Sequence, residues 1–159
     1  MNSVSSRFDE AVHDLWDPHP RHTSASLAAV AARLRVTIPL ELAELANHSS
    51  KFSNVFLGLG ENDDAYNHII PYNRYWKSRR RTRRLPADLV IITNGFMDED
   101  FWCLVRPTEA SASSPSTQQA VEYWSPAPIG YPKAGHRGPR YETFAQFLDM
   151  LIEHYRQGK

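Results

Sequence analysis

The sequence predicts an α+β fold, with helices packed on a mainly antiparallel sheet. Three observations predict it. Apolar stripes at helical spacing sit near both ends of the chain, within residues 5–46 and 143–155. Short β-branched and aromatic runs lie between them. Those runs are joined by hairpin-length or long irregular segments, which argues against alternating βα units. With 159 residues and 42% apolar content, the chain is about one domain with a real core.

Residues 5–16 read as an amphipathic helix. Phe8, Val12, Leu15 and Trp16 share one face, and Ser5 or Ser6 is the cap. Pro18 and Pro20 close it. A second helix spans about residues 24–36, on the stripe Leu27, Val30, Ala31 and Leu34. Pro39 has no N–H to lose in a first helical turn, so it suits the start of a third helix. Leu42, Leu45 and Ala46 form that helix's buried side, and the polar cluster Asn47, His48, Ser49 and Ser50 ends it. Residues 52–59 read as a short strand, and Gly58 and Gly60 as turn formers rather than a phosphate cradle. Glu61, Asn62, Asp63 and Asp64 make an acidic turn. Beyond Pro71 a helix is expected from about residue 72 to residue 81, with Tyr72, Tyr75 and Trp76 inward.

Residues 89–92 and 101–105 read as two strands joined by Asn94-Gly95 and an acidic tip. Residues 107–119 lack an anchoring apolar side chain and read as a mobile loop. Residues 121–124 form a third strand. Residues 125–140 hold four prolines and three glycines and are expected to carry no regular structure. Thr143 and Gln146 form a capping box for the last helix. Phe144, Phe147, Leu148, Leu151, Ile152 and Tyr155 give it a wide apolar face.

The balance of 18 basic against 18 acidic residues argues against attachment to nucleic acid by overall charge. The single cysteine excludes an internal disulfide and fits a cytoplasmic setting. Asp9, Glu10 and Asp14 interrupt what a signal peptide would need as an apolar stretch. No run reaches the roughly 18 apolar residues of a membrane span.

Cys103 lies in FWCLV, where a strand makes it a small buried hydrophobe. The competing reading is a nucleophile partnered by His136. The histidines at 13, 19, 22, 48, 68, 136 and 154 show no metal-ligand spacing and read as solvated loop residues. Asp98, Glu99 and Asp100 lack the spacing of a calcium loop and read as a solvated hairpin tip or as an electrostatic patch for a partner. The strongest charge feature is basic. Arg74, Lys77, Arg79, Arg80, Arg81, Arg83 and Arg84 are seven of the 18 cations. With Tyr72, Tyr75 and Trp76 interleaved, they read as a solvated helix face, a dock for an acidic protein, or a nucleic-acid contact.

Several pieces then stand in a recognisable order. Arg33-Leu34-x-Val36-x-Ile38-Pro39 is followed by Leu42, Leu45 and a polar turn. Leu85-Pro86, an apolar strand, Asn94-Gly95, an acidic tip and Phe101-Trp102-Cys103-Leu104 come next. Val121-x-Tyr123-Trp124 and Thr143-Phe144-x-x-Phe147-Leu148 complete the series. Together they resemble the SMI1/KNR4 family of the SUKH superfamily, over about residues 24–157. The resemblance implies an α+β domain with helices on one strongly bent sheet, here a single domain over residues 1–159 with the helix at 5–16 as an extension. It also implies a non-enzymatic role without cofactors. Bacterial members resemble immunity proteins that bind and neutralise a cognate polymorphic toxin, often a nuclease. Fungal members act as regulatory interaction proteins. Asn47-His48-Ser49 stands where the family often has Asn-Gly. The insert at 107–119 and the basic run at 77–84 also depart from the pattern.

The expected function is therefore toxin neutralisation by stoichiometric binding in the cytoplasm, with no metal. The expected contacts are Glu61, Asp63, Asp64, Trp76, Arg79, Arg80, Arg81, Asp98, Glu99 and Asp100. The alternative is a small nucleic-acid-binding or regulatory protein using the basic run.

Overall fold

The computed structural model describes residues 3–12, 24–60, 68–94, 99–107, 119–128 and 135–158. Among them are five α-helices and a four-stranded antiparallel sheet in the order β1-β2-β3-β4. The expected α+β class is what the structure shows.

Helix α1 spans Val4–Ala11. Its cap is Ser3, whose hydroxyl accepts from the Ser6 amide at 3.1 Å, so the helix starts earlier than the Ser5 or Ser6 cap expected. Leu15 and Trp16 lie outside the described residues. Helix α2 (Ser24–Leu34) buries Leu27, Val30 and Leu34. Pro39 is the N-cap of α3 (Leu40–His48), which buries Leu42, Leu45 and Ala46. Asp9 of α1 accepts hydrogen bonds from the Ser49 hydroxyl and the Ser50 amide, which ties the turn after α3 to α1.

Residues 52–59 are not a strand. Residues Phe52–Asn54 form a 3₁₀ turn, and only isolated bridges follow, at Phe56 and Gly58. Phe52, Val55, Phe56, Leu57 and Leu59 are all buried, so the segment has no two-fold alternation to hold it as a regular strand. Gly58 is not simply a turn residue. A Cβ there would sit 2.8 Å from the His68 ring, so the missing side chain makes room for that imidazole. His68 is correspondingly a buried residue rather than a solvated one.

Helix α4 spans Ile69–Lys77, three residues earlier than expected at its start and four at its end. Pro71 falls within the first turn, where its missing N–H costs nothing. The buried face is Ile69, Tyr72, Asn73 and Trp76, so Tyr75 points outward, against the expectation. Asn73 is the polar member of that face. Its amide donates to the Ile91 carbonyl at 2.9 Å and accepts from the Ile91 amide at 2.7 Å, clamping α4 to the sheet edge.

Strands β1 (Leu89–Ile91), β2 (Phe101–Val105) and β3 (Val121–Ser125) fall where the apolar runs placed them. A fourth strand, β4 (His136–Tyr141), runs through a segment expected to be irregular. It is an edge strand, the position that tolerates proline. Tyr123 of β3 faces both Gly138 and Pro139, a bulge between the Glu122–Arg140 and Trp124–Arg137 pairs, and Gly138 there has φ +89°.

Side chains alternate across the sheet. Phe101 and Trp124 meet Tyr72 and Trp76 of α4 on one face. Trp102 and Tyr141 meet Phe147 of α5 (Phe144–Arg156) on the other. The Thr143–Gln146 capping box is present. Phe56 links Phe8 and Phe144, which joins α1 to the same core.

Candidate functional site

Helix α4 ends at Lys77, and the Ser78 amide caps its last carbonyls. The chain then turns through Arg81–Arg83, a second 3₁₀ turn. This basic segment is anchored from below. The Leu85 amide donates to the Trp76 carbonyl at 3.1 Å, and both residues are buried. Arg83 is the main anchor. Its guanidinium donates to both Glu99 carboxylate oxygens, at 2.6 and 2.7 Å, and to the Ala127 carbonyl at 2.5 Å. It also lies over the Trp76 ring, 5.7 Å from the centroid. Its side chain is only 14% exposed.

The sequence treated the basic run and the acidic tip as separate surfaces, and the structure joins them. Glu99 is exposed, but both its carboxylate oxygens accept from the Arg83 Nη2. Asp100, also exposed, accepts from the Tyr123 hydroxyl at 2.6 Å. Trp76 is buried, 5% exposed, beneath Arg83. Arg79 stacks on Tyr75 with its guanidinium carbon 4.1 Å from the ring centroid, and its Nε donates to the Tyr75 carbonyl. Arg80 and Arg81 are exposed. Glu61, Asp63, Asp64 and Asp98 lie outside the described residues.

A second charged cluster was not singled out from the sequence. Arg137 of β4 donates to both oxygens of Asp88, at 3.0 and 2.9 Å, and its Nε donates to Glu122. Arg140 lies 3.9 Å from Glu122 and donates to Glu142 at 3.2 Å. The hydrogen bond from Arg137 holds the Asp88 carboxyl below its ordinary value, and Asp88 and Glu122 push the Arg137 guanidinium up. These pairs fasten the bulged edge strand to its neighbours. No sequence signal marks them, because the partners are up to 49 residues apart.

Cys103 is fully buried in mid-sheet, paired with Ile91 and Glu122. Burial first, and the Glu122 charge second, raise its thiol well above the ordinary range, which opposes thiolate formation. His136 pairs with Ser125, on the opposite sheet face from Cys103, so the two cannot act together. An open cleft of about 440 Å³ lies between α5 and the ends of β1 and β2, with Thr93, Asn94, Trp102 and Tyr155 among its walls. Two of its polar side chains are committed to the fold. Thr93 accepts from the Trp102 amide, and Asn94 donates to the Ser53 and Asn54 carbonyls. Among the described residues no group of three His, Cys, Asp or Glu side chains is placed to hold a metal ion. No described helix is long and apolar enough to cross a membrane.

No curated protein and no solved structure matches the chain significantly. The model of the SMI1 / KNR4 family (SUKH-1) matches residues 22–150, which span α2 through most of α5. That match covers most of the chain and agrees with a four-stranded antiparallel sheet flanked by helices, so the chain belongs to the SMI1/KNR4 family.

Proposed function

We propose that this chain is an immunity-type protein that neutralises a cognate polymorphic toxin by stoichiometric, non-enzymatic binding in the cytoplasm. Family membership over residues 22–150 is the observation that carries this reading. The physical arrangement supports it. A continuous aromatic core supplies a rigid scaffold, and charged side chains stand on it at fixed positions. Charge at such positions speeds association and selects partners, while affinity comes from the groups desolvated at the centre of the interface. Cofactors have no part in this mode of action, and the whole chain acts as one unit with α1 as an N-terminal extension.

Co-expression with the toxin encoded beside this gene tests the proposal. The expected result is restored growth and a complex that survives gel filtration. Toxicity that persists at equal expression of both chains would contradict it.

A further inference from the structure

We propose that the ledge formed by Tyr75, Arg79, Arg80, Arg81 and Arg84 is a docking surface for a carboxylate-rich protein surface. This rests on the protein-binding reading above and specifies the partner's chemistry.

The ledge is built rather than merely solvated. Trp76 and Leu85 are buried beneath it, and Arg83 pins its 3₁₀ turn to Glu99 and Ala127. The Arg83 amide closes that turn on the Arg80 carbonyl at 2.8 Å. Arg84 Nε donates to the Arg79 carbonyl at 3.1 Å, which holds the next arginine beside the first. Tyr75 is one of two large hydrophobic residues exposed among the described residues, at 42%. Its ring carries Arg79, so part of the arginine's ordering cost is met before any partner arrives.

The charge on this ledge is unspent among the described residues. Arg79, Arg80, Arg81 and Arg84 meet no carboxylate among the described residues, whereas Arg83, Arg137 and Arg140 all do. Burial first, and the Arg106 and Arg35 charges after it, lower the Lys77 ammonium below its ordinary value. A chain with formal net charge +0 has thus concentrated at one place cations that pair with no described carboxylate.

Carboxylates fit this ledge better than bases do. Single-stranded nucleic acid binds by stacking bases on open aromatic faces. Trp76 is buried, and one face of Tyr75 is covered by Arg79, so the stacking platform is largely gone. What remains is a row of planar guanidinium forks, which match carboxylates two bonds at a time.

Fluorescence anisotropy with labelled decaglutamate and a labelled thymidine oligonucleotide of similar length tests this without any toxin. The peptide is expected to bind the full chain at low salt and to be released as salt screens the charges. The variant Arg80→Glu/Arg81→Glu should weaken it by about tenfold or more. Arg84→Glu should weaken it less, and Arg156→Glu at the far end of α5 should not change it. Unchanged thermal midpoints keep the variants interpretable. Absence of peptide binding, binding insensitive to Arg80→Glu/Arg81→Glu, or tighter binding of the oligonucleotide than the peptide would each overturn the proposal. Because no toxin is involved, such a failure leaves toxin neutralisation standing, and failed neutralisation leaves the ledge standing.

Discussion

Two arginine clusters lie on this molecule. On β4, Arg137 and Arg140 face Asp88, Glu122 and Glu142. Beyond α4, Arg79, Arg80, Arg81 and Arg84 face no described carboxylate. The residue type is the same and the physical role differs. In the first cluster the guanidinium replaces hydration with fixed carboxylate partners and holds a bulged edge strand in register. In the second, Arg79 and Arg84 meet backbone, hydroxyl and ring partners but no described carboxylate, so their charge can still be matched by a partner's. Arg83 stands between the two cases. It belongs to the basic run by sequence and to the paired class by geometry.

Perturbing each cluster in turn sharpens the comparison. The largest effect is expected at Glu122, which is buried and binds Arg137. Glu122→Ala should lower unfolding free energy by about 2 kcal/mol, read from urea denaturation, because it strips Arg137 of one partner beside a buried strand. Arg83→Ala should cost about 1 kcal/mol by the same measurement, since its partner Glu99 is well exposed and the pair is partly screened. An effect near zero would place Arg83 with the free arginines instead.

Acid should act through the paired cluster by less. The Asp88 carboxyl is held below its ordinary value of 3.8 in the folded chain. Its contribution is therefore present above that value and is lost as pH falls through the lowered folded value. His68 behaves differently. Burial lowers its imidazole below the ordinary 6.5, so the unfolded chain takes up the proton first and stability falls as pH drops below 6.5. Asp88→Asn should remove the first slope and leave the second, as followed by thermal unfolding against pH. The smallest effect belongs to the free cluster. Arg80→Ala/Arg81→Ala should change stability by no more than about 0.5 kcal/mol.

Much of the fold was legible because the apolar residues repeat at the right period. The capping box and stripe of α5, and the run at β2, are of that kind. Strand β4 was not legible. HRGPRY has only Tyr141 to mark it as apolar, and its strand geometry comes from pairing with β3. Residues 52–59 misled for the opposite reason, since side chains buried all round carry no period. Tyr75 looked inward because Asn73, a polar residue, takes the buried position that the aromatic was given. The charged ledge itself was visible as a run of arginines. Which of them is spent was not, because the Arg83–Glu99 pair joins residues 16 apart across a fold.

The claim that this protein acts by binding, without turnover, is tested most directly by titrating it against a fixed amount of the toxin proposed as its target and reading residual toxin activity. The account predicts a linear fall that reaches zero at one chain per toxin, with full activity regained once the complex is dissociated. Complete loss at a small fraction of one equivalent, with activity not recovered on separation, would show that the chain modifies the toxin catalytically and would contradict the account.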